Sequence, residues 1–91
     1  MSNAAANRVV EVTTNTVLEG KAILNAVSLR ATGGAGTVEI WARFAPGQDK
    51  VRIATVSAAS GVTFHQPFYC AGMLDPETRE IANARVYFHF A

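Results

Sequence analysis

Residues 32 to 44, Thr32-Gly33-Gly34-Ala35-Gly36-Thr37-Val38-Glu39-Ile40-Trp41-Ala42-Arg43-Phe44, decide the fold. Three glycines in four positions mark a tight turn, because glycine reaches positive φ without steric cost. Alternation follows at once. Val38, Ile40 and Ala42 fall on one side of an extended chain; Thr37, Glu39, Trp41 and Arg43 fall on the other. A period of two in such residues is that of a half-buried strand. The turn with a strand behind it predicts a β-hairpin over this stretch. A phosphate-cradling loop would need a helix after the glycines, or a Lys-Ser/Thr pair, and neither follows.

The same period extends in both directions. Arg8 to Thr14 reads as a first strand, with Val10, Val12 and Thr14 on one face. Lys21 to Ala31 reads as a second. There Ile23, Asn25, Val27, Leu29 and Ala31 share a face, opposite Leu24, Ala26, Ser28 and Arg30. Ala45-Pro46-Gly47-Gln48-Asp49 forms the next turn, since proline presets φ and glycine accepts the left-handed position. Lys50 to Ser57 and Val62 to Gln66 are further strands, the latter ended or confined to an edge by Pro67. Asp75-Pro76-Glu77-Thr78 reads as a turn that could open one helical turn. Ala84 to Ala91 alternates most clearly: Val86, Phe88 and Phe90 against Arg85, Tyr87 and His89.

Ten Val, four Ile and eight Thr outnumber four Leu, as suits pleated surfaces. Short strands spaced about ten residues apart imply an all-β fold. The expected form is a small antiparallel β-sandwich, jelly-roll or immunoglobulin-like, of six to eight strands. The 91 residues allow one domain, 8–91, with residues 1–7 as a flexible N-terminal arm.

Eight Lys and Arg stand against seven Asp and Glu, a net charge of +1. No basic excess covers a face for nucleic-acid phosphates. No apolar run approaches a membrane span, and the first residues lack the features of a signal peptide. Cys70 is the one cysteine, so no internal disulfide forms, and a partly buried thiol is expected. His65 and His89 lie on different strands and could be brought together, but two histidines alone are an incomplete zinc site. Ser28, Ser57 and Ser60 sit in no nucleophile setting. No cofactor, metal or catalytic activity is expected.

The residues singled out are Trp41, Arg43, Arg52, Arg85, Tyr87 and Arg8. Trp, Tyr and Arg on faces away from the core are the types enriched at protein interfaces. Charged residues make up only 16% of the chain, well under the usual ~25%. Strand alternation also leaves Leu24 and Val56 on the outer face, an apolar excess that partner contacts would cover.

The order of elements resembles small β-sandwich virion proteins of tailed bacteriophages. The resemblance rests on Thr13-Thr14-Asn15-Thr16-Val17, on Gly20 to Leu29, and on the Gly33 to Trp41 stretch. It continues in Arg52 to Gly61 and the closing Ala84 to Phe90. It implies a capsid decoration or cement protein on the virion surface, synthesised in the host cytoplasm. The implied partners are the major capsid protein and copies of the chain itself, as a homotrimer, with no nucleic acid or membrane. Alternatives are a head–tail connector, tail or fibre module, and a carbohydrate- or host-surface-binding domain stacking ligands on Trp41 and Tyr87.

Overall fold

Alternating β-branched sequence gives six strands in the computed structural model, which describes residues 8–91. They are β1 (Arg8–Val12), β2 (Lys21–Ala31), β3 (Gly36–Arg43), β4 (Val51–Ala58), β5 (Thr63–Ala82) and β6 (Ala84–Phe90). The expected arm of residues 1–7 lies outside the described residues. All pairings are antiparallel, in the order β1-β6-β2-β5-β3-β4.

The strand β5 makes this one sheet into two layers. Its first half pairs with β2, from Arg30↔Thr63 to Lys21↔Leu74. Its second half pairs with β3, from Arg43↔Leu74 to Thr37↔Ala82. Since β2 and β3 run in opposite senses, β5 doubles back at its middle. Gly72 and Asp75 take positive φ at this corner, 75° and 50°. Gly20 fastens it: the Gly20 amide donates to Asp75 Oδ1 at 2.8 Å, and the Asp75 amide donates to the Gly20 carbonyl at 2.9 Å. The expected turn or helical start at Asp75-Pro76-Glu77-Thr78 is thus a corner within extended chain.

The result is a sandwich of seven strand segments. One layer is β1-β6-β2 with the first half of β5; the other is the second half of β5 with β3 and β4. Strands three places apart in a flat sheet lie about 14 Å apart. Yet β2 approaches β4, and β3 approaches β6, as only a folded-over sheet permits. The core lies between the layers. Val27, Leu29, Val86 and Phe88 from one face meet Val38, Ile40 and Val56 from the other.

The glycine-rich turn departs from its expected role. It joins β2 to β3, which lie in different layers and do not pair, so it is an arch and not a hairpin. Each strand is already paired on both sides, which leaves neither free for the other. None of Gly33, Gly34 and Gly36 takes positive φ. Gly36 is needed for close approach: a Cβ there would lie 2.8 Å from the Asn83 carbonyl oxygen. The true hairpin is β3–β4. Its turn carries Gly47 at φ 81°, with the Gln48 amide bonded to the Ala45 carbonyl at 3.2 Å, as Pro46-Gly47 predicts.

Two irregularities reverse strict alternation. In β2, Leu24 pairs with Phe90 but Ala26 pairs with His89, so the strand carries an extra residue. Leu24 therefore turns inward and is fully buried, while Ile23 is 40% exposed. In β4, Ala54 pairs with Ile40 but Arg52 pairs with Trp41, and Val56 faces the core. Leu24 and Val56 are core residues, which corrects their expected place on the outer face.

The segment after β1 closes the second layer. Thr78, the one fully buried polar side chain among the described residues, accepts from the Thr16 amide at 2.9 Å. Its hydroxyl faces the Thr14 carbonyl at 3.4 Å. Glu80 sits at φ 56°, and Asn15 Oδ1 caps the following Ile81 amide at 3.2 Å.

Candidate functional site

Five of the six residues singled out by sequence divide between the two outer surfaces; Arg8 pairs with buried Phe90 and so points to the core side at the end of β1. Trp41, Arg43 and Arg52 lie on the β3–β4 layer; Arg85 and Tyr87 lie on the β1–β6 layer. They do not form one patch.

On the β3–β4 surface most charges pair with one another, although the buried Arg43 Nε has no hydrogen-bond partner among the described residues. Trp41 Nε1 donates to Glu39 Oε1 at 2.9 Å, and the Arg79 guanidinium lies 4.1 Å from the indole centroid. Arg79 Nε donates to Glu77 at 2.8 Å, and Lys50 Nζ donates to the same carboxylate. Arg79 chiefly, with help from Lys50, holds the Glu77 carboxyl below the usual range. Arg52 lies 3.6 Å from Glu39, and Arg43 lies 3.9 Å from Asp75. The indole face is therefore occupied, and a sugar stacking on Trp41 would have to displace Arg79. Lys50, Glu77 and Arg79 were not legible as a group. Lys50 is expected at the start of a strand and Glu77 in a turn, while Arg79 follows that turn; only the fold brings them together.

The opposite surface is more open. The strand register sets Ser28 beside both His65 and Tyr87. Ser28 Oγ lies 2.7 Å from His65 Nδ1 and 2.8 Å from His89 Nε2, with the rings edge to face at 5.3 Å. The hydroxyl has one proton, so it donates to one neutral imidazole and accepts from the other. Burial, and the neighbouring His65, lower the His89 pKa. The structure thus brings together the two histidines that the sequence left apart.

Two features limit their chemistry. Among the described residues no group of three His, Cys, Asp or Glu could hold a metal ion. Ser28 also lies on an inner strand paired on both sides, so its surrounding amides are used in the sheet ladder. An acyl-transfer site needs donors aimed at an oxyanion. Burial pushes the Cys70 thiol pKa up, opposite to the activation of a nucleophile.

Beyond Tyr87 the same surface dips into a cleft of about 630 Å³. Arg30 and Arg85, direct cross-strand partners, both line it side by side. The arch at Thr32-Gly33 and the loop at Ser60-Gly61 complete its walls. A second hollow, of about 700 Å³, lies at the other end of the strands, lined by Arg8, Lys21, Ile23 and Phe90 among others. Arg8 lies over the Phe90 ring at 5.1 Å.

The edges complete the picture. The first half of β5 has β2 on one side and, among the described residues, no strand on the other. Pro67 sits within it, as an edge position allows. Phe64 pairs with buried Leu29, and so points to the core side, yet it is 43% exposed. The three-stranded layer does not reach far enough to cover it. Tyr69 on the same edge is 72% exposed. No family model, curated protein or solved structure matches this chain.

Proposed function

We propose that this chain is a structural assembly protein of the capsid decoration or cement type. It forms a homotrimer and docks on the major capsid protein at the virion surface. The observation that carries this reading is the overhanging first half of β5. An edge left unpaired among the described residues and bearing exposed Phe64 and Tyr69 is a template for pairing with another chain. Val51 on β4, an outermost strand of the sheet, is half exposed as well. Edge pairing between copies would cover Phe64, which the thin second layer leaves open. Subunit contacts would add stability by mass action to a domain with a small core.

The resemblance in element order supplies the virion context, and the sandwich architecture is compatible with it. The experiment is co-sedimentation with capsid shells assembled from the cognate major capsid protein. Saturable binding at hundreds of copies per shell supports decoration. Binding at a dozen copies or fewer supports the connector or tail alternative. Absence of binding removes both.

A further inference from the structure

We propose that the cleft lined by Arg30 and Arg85 binds a tetrahedral oxyanion of the phosphate or sulfate class. The first observation is the pairing. Arg30 and Arg85 are direct cross-strand partners on β2 and β6, a like-charge arrangement that is unfavourable when nothing lies between the charges. An anion between two guanidinium groups turns that repulsion into attraction. The second observation is the shape. The pair lines a concave space of about 630 Å³, walled by a backbone arch and a small-residue loop. Tyr87 and Ser60 add hydroxyl groups to the lining, which offer neutral hydrogen bonds beside the charged ones.

The arginines are incompletely engaged from within. Arg30 reaches the Thr63 hydroxyl at 3.3 Å, and Arg85 lies 3.7 Å from Glu11. Each guanidinium has five N–H donors, so most remain for a ligand. Both residues are exposed, and the cleft lining contains no carboxylate. Two planar forks suit an anion with three or more acceptor oxygens and up to two charges better than a single carboxylate. Glu11 competes for one fork, so it opposes binding.

The test is an NMR titration of the full chain with inorganic phosphate, at ionic strength held constant with chloride. Saturable shifts centred on Thr32, Gly33, Gly61 and Arg85 are expected. Arg30→Gln and Arg85→Gln should each weaken binding about tenfold or more, as loss of a charge-assisted hydrogen bond does. Glu11→Gln should tighten it. Arg52→Gln makes the same charge change on the opposite surface and should leave it unchanged. These side chains are exposed, and unchanged spectra elsewhere establish that each variant is folded. Three results overturn the proposal: no saturable shifts, an equal loss in Arg52→Gln, or acetate binding as tightly as phosphate.

Discussion

Leu24 and Ile23 are adjacent, apolar and similar in volume, and the extra residue in β2 gives them opposite fates. Leu24 is fully buried; Ile23 is 40% exposed. Truncating Leu24 to alanine removes three carbons from the core, a transfer loss of about 2.4 kcal/mol at ~0.8 per carbon. The cavity left behind adds to this, so Leu24→Ala should cost about 3–4 kcal/mol. Truncating Ile23 removes the same number of carbons from a site already partly wet and closes no cavity. Scaled by its buried fraction, Ile23→Ala should cost about 1.4 kcal/mol. A domain of this length has about 5–14 kcal/mol in total, so the first change consumes a large share. Urea unfolding with a shared slope measures both, and thermal unfolding should separate the midpoints by about 10 °C or more. Strict alternation demands the reverse order. An Ile23→Ala loss equal to or above that of Leu24→Ala would refute the bulged register.

Other consequences follow from the same geometry. Glu77→Gln leaves the Lys50 ammonium, whose side chain is 8% exposed, without its charged partner; chemical denaturation should show a loss of about 2–3 kcal/mol. Because the Glu77 pKa is lowered in the fold, its contribution is present above the unfolded value near 4.5. It should disappear as pH falls below that, visible as acid-sensitive stability in wild type that Glu77→Gln lacks. His89 acts at higher pH. Its lowered pKa means that the unfolded chain binds more protons just below 6.5, so stability should fall as pH is lowered through that window. Histidine ring titrations followed by NMR should place His89 below a free imidazole, and a raised value would contradict the burial described. Gly36→Ala places a methyl group 2.8 Å from a backbone oxygen and should cost more than about 2 kcal/mol in thermal or urea unfolding.

Much of this architecture is legible in the residues, and the exceptions have local causes. The β3 alternation, with Val38, Ile40 and Ala42 inward, holds because it depends only on the period of an extended chain. The limits of β2 also match, from Lys21 to Ala31. Its facing does not, since a bulge is set by register against β6 and leaves no mark in the strand itself. The β2–β3 turn has hairpin composition, yet whether two strands pair depends on which other strands compete for their edges. Asp75-Pro76 reads as a turn because its residues favour one. In the fold they make a corner in a 20-residue strand held from Gly20, 55 positions away. For the sites, alternation correctly sends Trp41 and Tyr87 away from the core. It cannot show that the two lie on opposite outer surfaces, or that Arg79 covers the indole. The Arg30–Arg85 pair and the Ser28–His65–His89 cluster exist only through cross-strand register.

Sedimentation equilibrium of the full chain, run beside a Phe64→Lys/Tyr69→Lys variant, tests assembly through the β5 edge most directly. Both substitutions add charge to an exposed edge without entering the closed core. The wild-type chain should behave as a trimer at tens of micromolar, and the variant as a folded monomer. A wild-type monomer at that concentration, or a trimer unaffected by the two lysines, would contradict the account.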